Sequence, residues 1–150
     1  MQKKPLVSIL IASYNKEKYV KRCINSCLNQ SYNKLEIIFY DDGSKDDSYN
    51  LAKTIKGIKV FKNKKKINFG IFNTYHQINS YNNAFSKSKG KYVLLLDSDD
   101  FFKRNKVKEI INYFNQNPKS NIVFDLPIFY HSKQNQIYSK NIKYKKSNKK

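Results

Sequence analysis

The sequence predicts an α/β domain: a mostly parallel sheet with helices on both faces. Two observations predict it. Segments dense in Val, Ile, Leu, Phe and Tyr alternate with segments whose apolar residues recur at helical spacing, giving four strand–helix units and a closing strand. Polar clusters then fall at the C-terminal ends of three strands: Ser13-Tyr14-Asn15, Asp41-Asp42-Gly43-Ser44 and Asp97-Ser98-Asp99-Asp100. In sheets of this kind ligands bind beyond those ends, where the strand order reverses.

Each element has its own signal. Val7 to Ala12 is a β-rich run closed by turn chemistry. Between Glu17 and Leu28 the residues Val20, Ile24, Cys27 and Leu28 make a helical stripe, with Lys18, Lys21 and Arg22 outside it. Leu35 to Tyr40 is the second strand. Ser44-Lys45-Asp46-Asp47 has the form of a helix start, for a helix running towards Ile55 and stopped by Gly57. Ile58 to Phe61 is a short third strand, followed by the basic run Lys62 to Lys66 and by Asn68-Phe69-Gly70. A helix from about Asn73 to Ser88 is expected to bury Tyr75, Ile78, Asn82 and Phe85, with Gly90 after it. Tyr92 to Leu96, five apolar or aromatic residues in a row, predicts a strand buried on both faces. Val107, Ile110, Ile111 and Phe114 mark a further amphipathic helix, closed by Asn117-Pro118. Ile122-Val123-Phe124 opens a last strand towards Tyr130, with Pro127 arguing for an edge or a break.

The chemistry concentrates after the fourth strand. Asp97 and Asp99 fall on one side of an extended chain with Asp100 beside them, and three carboxylates next to a buried strand call for a hard divalent cation and the phosphates it bridges. The plainer alternative is a solvated acidic turn capping the next helix.

Composition sets the outer bounds. A chain of 150 residues supports one domain with a full core. The expected division is a folded part over 1–130 and a basic, flexible tail over 131–150, which holds no acidic residue. No apolar run is long enough for a bilayer, and Met1-Gln2-Lys3-Lys4-Pro5 does not open a signal peptide, so the expectation is a cytoplasmic protein. The plain expectation for that tail is a solvated end, and the functional alternative is a polybasic segment that leans on anionic lipid at the inner face of the membrane. Cys23 and Cys27 lack the spacing of a zinc site and suit a helix core. The formal charge of +19 asks for an anionic partner, but the Lys residues are scattered and show no specific nucleic-acid-binding pattern. A phosphoacceptor domain would need acids after the first strand, where Ser13-Tyr14-Asn15 stands.

With these clusters in place, the chain resembles the N-terminal part of family 2 glycosyltransferases of the GT-A fold. Val7 to Asn15, Asp41-Asp42-Gly43-Ser44-Lys45-Asp46, Asn68-Phe69-Gly70 and Gly90-Lys91-Tyr92 through Asp100 carry the resemblance, which covers about residues 5–125. It implies a nucleotide-sugar-binding domain that transfers a sugar with inversion to an acceptor hydroxyl, on a glycan or a lipid-linked acceptor, in cell-surface polysaccharide synthesis. The donor it implies is a UDP-sugar. The resemblance assigns the nucleoside to Ala12 and Ser13, the base to Asp42 with help from Asp41, the ribose to Asp97, and a Mn2+ or Mg2+ ion to Asp99, Asp97 and Asp100. Three departures stand out. Ser80-Tyr81-Asn82 occupies the place of an Ala-Arg-Asn sequence, and Arg104 that of a Pro after the acidic cluster. No general base is identified: Leu126 to Lys150 contains no Asp or Glu, Asp125 carries no mark of one, and His76 and His131 have no carboxylate motif. The expectation is a truncated or split enzyme, with a non-catalytic nucleotide-sugar-binding module as the alternative.

Overall fold

The computed structural model describes residues 4–63, 73–124, 129–131 and 136–138. The chain divides into two compact units, residues 1–116 and 117–150. The first unit holds four strands, β1 (Val7–Ser13), β2 (Leu35–Asp41), β3 (Lys59–Lys62) and β4 (Tyr92–Asp97), and four helices, α1 (Glu17–Leu28), α2 (Ser48–Thr54), α3 (Asn73–Phe85) and α4 (Lys106–Gln116). The strands form one parallel sheet in the order β3-β2-β1-β4. The chain steps from β1 through β2 to β3 on one side, then returns to lay β4 on the other side of β1. The expected architecture is therefore present, and its switch point lies between β1 and β4.

The strand sequences explain the layering. Successive side chains of a strand point to opposite faces, so Ile9, Ile11, Ile37, Phe39, Leu94 and Leu96 share one core with Val20, Cys23, Ile24 and Cys27 of α1, Ala52 of α2, and Val107 and Ile111 of α4. Leu10, Ile38 and Tyr40 point the other way, where they meet Ala84 of α3 with Tyr81, Val93 and Phe61. All seven residues of β1 are buried.

Four expectations are corrected. The strand buried on both faces is β1; among the described residues β4 lies at the end of the sheet, and Leu95 is 57% exposed. Its apolar run reflects one covered face and a second face that α3 covers only in part. On α3, Tyr75, Ile78, Asn82 and Phe85 are exposed, and Ser80 and Ala84 are buried with Gln77 and Tyr81 half-buried beside them. That inward stripe is polar because half of it faces carboxylates. Helix α2 starts at Ser48, since the Ser44 hydroxyl accepts the Asn15 amide (2.9 Å) and is not available as a cap. Ile122 and Phe124 are exposed and belong to no strand. The second unit instead carries an antiparallel pair, β5 (Phe129–His131) with β6 (Gln136–Tyr138). Asn68-Phe69-Gly70, Asp125 and residues 139–150 of the basic segment lie outside the described residues.

Two fastenings hold the frame away from the strand ends that matter for function. At the N-terminal end of the sheet, Glu36 accepts hydrogen bonds from the Ser8 hydroxyl (2.6 Å), Lys59 (2.8 Å) and the Lys89 amide, and the Ser8 hydroxyl accepts the Gly90 amide (2.8 Å). Burial alone would raise the Glu36 pKa, but these donors outweigh it and hold the carboxyl at about 2. Just beyond the end of α1, buried Gln30 donates to the carbonyls of Ser26 (3.0 Å) and Lys103 (2.8 Å) and accepts the Val107 amide (3.1 Å), which caps α4 from the segment that follows α1. Among the described residues no helix is long and apolar enough to cross a membrane.

Candidate functional site

The C-terminal ends of β1, β2 and β4 are welded by main-chain bonds. The Asp42 amide donates to the Ser13 carbonyl (2.9 Å), and the Ser98 amide to the Ala12 carbonyl (3.0 Å). The loops that follow are laced in the same way. Asn15, in the left-handed region at φ 53°, accepts the Lys45 amide on its side chain (2.8 Å). The amides of Lys16 and Glu17, at the start of α1, donate to the Ser48 hydroxyl (2.8 Å) at the first residue of α2 and to the Asp46 carboxylate (3.0 Å) just before it. Helix α1 is thus capped by a segment about 30 residues away, with no cap of its own.

This frame borders an open cleft of about 450 Å³ at the switch point, lined by Ala12, Ser13, Tyr14, Asn15, Lys16, Gln77, Ser80, Asp97, Ser98 and Asp99. Four of the residues expected at the site, Ala12, Ser13, Asp97 and Asp99, therefore come together. Asp97 accepts Gln77 (2.5 Å) and the Tyr81 hydroxyl (2.7 Å) on Oδ1. Burial, and then the bond to Asp97, push the Tyr81 phenol up, so it stays a donor. Asp99 pairs through Oδ2 with Lys16 Nζ (2.6 Å), and its carbonyl accepts Arg22 Nη2 (3.0 Å). The Asp99 hydrogen bond, outweighing burial, raises the Lys16 pKa. Asp100 is exposed and stands outside the cleft lining; burial, then repulsion from Asp99 and Asp97, raises its pKa.

Asp41 and Asp42 stand one strand further along. Asp41 is fully buried, and its Oδ1 accepts the amides of Gly43 (3.0 Å) and Ser44 (2.8 Å), folding the loop around its own side chain. Gly43 takes φ 83°, which a side chain would oppose. Asp42 Oδ1 accepts the side-chain amides of Asn63 (3.0 Å) and Asn79 (3.1 Å). Three buried oxygens here have no hydrogen-bond partner among the described residues: Ser13 Oγ, Asp41 Oδ2 and Ser98 Oγ. Ser13 and Asp41 are register partners, and Ser98 directly follows β4 beside Ala12. Unpaired buried polar atoms at three neighbouring strand ends suit a polar ligand that supplies their partners.

The fit to a divalent cation is specific in form. Among the described residues no three His, Cys, Asp or Glu side chains are grouped to enclose a metal. The cleft instead offers oxygen donors from Asp97 and Asp99, which matches an ion held by one or two carboxylates and by substrate phosphates. Cys23, against Cys27 in the core, has a thiol pushed up by that contact and by burial, and is no nucleophile. The side chains of His76 and His131 lie outside the described residues.

Reading by sequence found the acids and missed what holds them: Lys16, Asn63, Gln77, Asn79 and Tyr81. One signal was present, since Ser80-Tyr81-Asn82 stands where the resembling family has a cation. The structure puts a neutral donor, Tyr81, on Asp97 there.

The family described as "Glycosyl transferase family 2" matches residues 8–150. A relative from Escherichia coli, "UDP-Glc:alpha-D-GlcNAc-diphosphoundecaprenol beta-1,3-glucosyltransferase WfaP", is 34% identical over 110 residues, covering 72% of this chain and 41% of its own. The structure of S. aureus TarS 1-349 in complex with UDP aligns with a TM-score of 0.63 at 24% identity, over 74% of this chain and 32% of that one. Mannosyltransferase PcManGT from Pyrobaculum calidifontis in complex with GDP-Man and Mn2+ aligns with a TM-score of 0.62 at 18% identity, over 75% and 33%. The chain spans 35–44% of the length of three curated relatives it matches.

Proposed function

This chain belongs to glycosyltransferase family 2, and on that premise we propose that it binds the nucleotide-sugar donor of an inverting sugar transfer to an acceptor hydroxyl. The observation that carries the reading is the set of unpartnered buried oxygens, Ser13 Oγ, Asp41 Oδ2 and Ser98 Oγ, beside a polar cleft at the sheet's switch point. Ala12 and Ser13 line the nucleoside end. Asp42, with Asp41 behind it, reads an N–H of the base, because a buried carboxylate discriminates against a base that leaves it without a donor. Asp97 meets the ribose, and Asp97 and Asp99, with Asp100 alongside, hold Mn2+ or Mg2+ against the diphosphate. When bound, that ion neutralises the charge developing on the departing nucleotide. Gln77 and Tyr81 fix Asp97 Oδ1 and so aim its remaining oxygen. UDP is the favoured nucleotide, supported by the UDP complex of TarS and the UDP-Glc in the name of the Escherichia coli relative; the Mn2+ in PcManGT supports the metal. The acceptor is a glycan or a lipid-linked glycan, and the protein works in the cytoplasm, against the inner face of the membrane.

A second reading, donor binding without turnover, is favoured by one observation. Among the described residues the carboxylates lining the cleft are Asp97 and Asp99, and with both given to the ribose and the metal neither is left to take a proton from an acceptor.

Calorimetric titration with UDP, with and without Mn2+, tests the reading. The expected result is Mn2+-dependent binding that Asp99→Ala abolishes. A folded chain that binds neither UDP nor GDP in either condition would overturn it.

A further inference from the structure

Lys16 is placed where a metal would have to compete with it. Its main-chain amide is anchored on Ser48 Oγ (2.8 Å) at the start of α1, and its side chain lines the cleft and ends on Asp99 Oδ2 (2.6 Å). Both side chains are more than a third exposed, at 38% and 40%, so the pair is open to solvent and to ligand. The Asp99 carbonyl is held separately by Arg22, whose guanidinium lies 4.6 Å from the Phe101 ring. The Asp99 main chain therefore has an anchor of its own, and releasing Lys16 frees a carboxylate on a backbone that stays put.

Two cations cannot share that carboxylate cheaply. An ammonium in contact with Oδ2 occupies one of its acceptor sites, and a divalent ion bound at Asp99 would face a like charge a few ångströms away. A lysine answers this better than an arginine would. Its charge is a point on a flexible stem with three rotatable donors, so it can leave one anion for another without losing a matched pair of bonds. The nearest anion brought by a donor nucleotide is its diphosphate.

We propose that Lys16 is an exchangeable counter-ion, resting on Asp99 until a diphosphate arrives and then moving to the diphosphate oxygens as the metal takes Asp99. This rests on the donor-binding reading above and adds a consequence to it: Lys16 makes metal binding depend on nucleotide. The device keeps Asp99 neutralised between turnovers and admits metal together with its substrate. Thermodynamic reciprocity requires the same factor in the other direction, with metal tightening nucleotide.

The test is calorimetry on the full chain with Mn2+ alone, UDP alone and UDP with Mn2+, for the wild type, Lys16→Gln and Lys16→Arg. Loss of the competing charge is expected to tighten Mn2+ alone by roughly tenfold in Lys16→Gln. The factor by which UDP enhances Mn2+ binding should fall by a similar amount. Lys16→Arg, which forks onto a carboxylate more firmly, should bind Mn2+ alone no better than the wild type. Unchanged or weaker Mn2+ binding in Lys16→Gln, an unchanged UDP enhancement, or tighter Mn2+ binding in Lys16→Arg would overturn the proposal while leaving donor binding intact. A wild type that binds no UDP under any condition overturns both.

Discussion

Asp97 shows what a single side chain in this cleft depends on. Its Oδ1 takes two donors from one helix, Gln77 and Tyr81. Tyr81→Phe removes one of them and leaves the other, so we expect a stability loss of about 1 kcal/mol by urea denaturation and weaker UDP binding by calorimetry. Gly90 depends on geometry instead of chemistry. A Cβ there would sit on the amide nitrogen and hydroxyl of Ser8 in β1 and 2.8 Å from the Tyr92 carbonyl. Main-chain atoms of a central strand have little room to yield, so Gly90→Ala should destabilise by about 3 kcal/mol, read as a lower urea midpoint. The acids of the site were legible in the sequence because they are contiguous and end strands. Their partners were not: Tyr81 is 16 residues from Asp97, Asn79 is 37 from Asp42 and Lys16 is 83 from Asp99, and no local pattern joins such pairs.

Elements were legible where one periodicity ruled. Helix α1 and the strands β1 and β2 follow their apolar patterns to within a residue or two. Helix α3 does not, because its inward face serves carboxylates as well as a core, and its most hydrophobic residues are left outside. A short apolar run also cannot tell a middle strand from an end strand, which is how β4 misled. Glu36 makes the junction of β1, β2 and β3 sensitive to acid. Its pKa is about 2 in the folded chain and 4.5 in the ordinary case. The folded state thus binds fewer protons in that window, and Glu36 contributes full stability above about pH 4.5 that is lost as pH falls through 2. After allowance for solvent screening the contribution is about 2 kcal/mol. Urea midpoints measured from pH 6 down to 2 should converge for the wild type and Glu36→Gln, with the wild type ahead only at the upper end. Gln30→Ala should cost about 1–2 kcal/mol in the same assay, since it strips the Val107 amide of its acceptor and unfastens α1 from α4.

At the scale of the whole molecule, the order β3-β2-β1-β4 gathers the strand ends bearing Ser13, Asp41 and Asp97 side by side, although the three lie far apart in sequence. The alternation of elements made that arrangement legible as a class; which strand stands in the middle came only from the pairing. That position has a consequence for the chain while it is being made. β1 leaves the ribosome before the other three strands of its sheet, yet one of its edges must wait for β4, and the closing bond between Gly90 and Ser8 spans 82 positions. Until β4 emerges, a strand with apolar residues on both faces presents an unsatisfied row of amides and carbonyls, a template for pairing with another chain. Nascent chains halted near Lys89 should therefore scatter light and need a chaperone, whereas chains released after Gln116 should not. Among the described elements of this unit, helix α1, whose capping groups arrive with the next loop, would settle before β1 is secured.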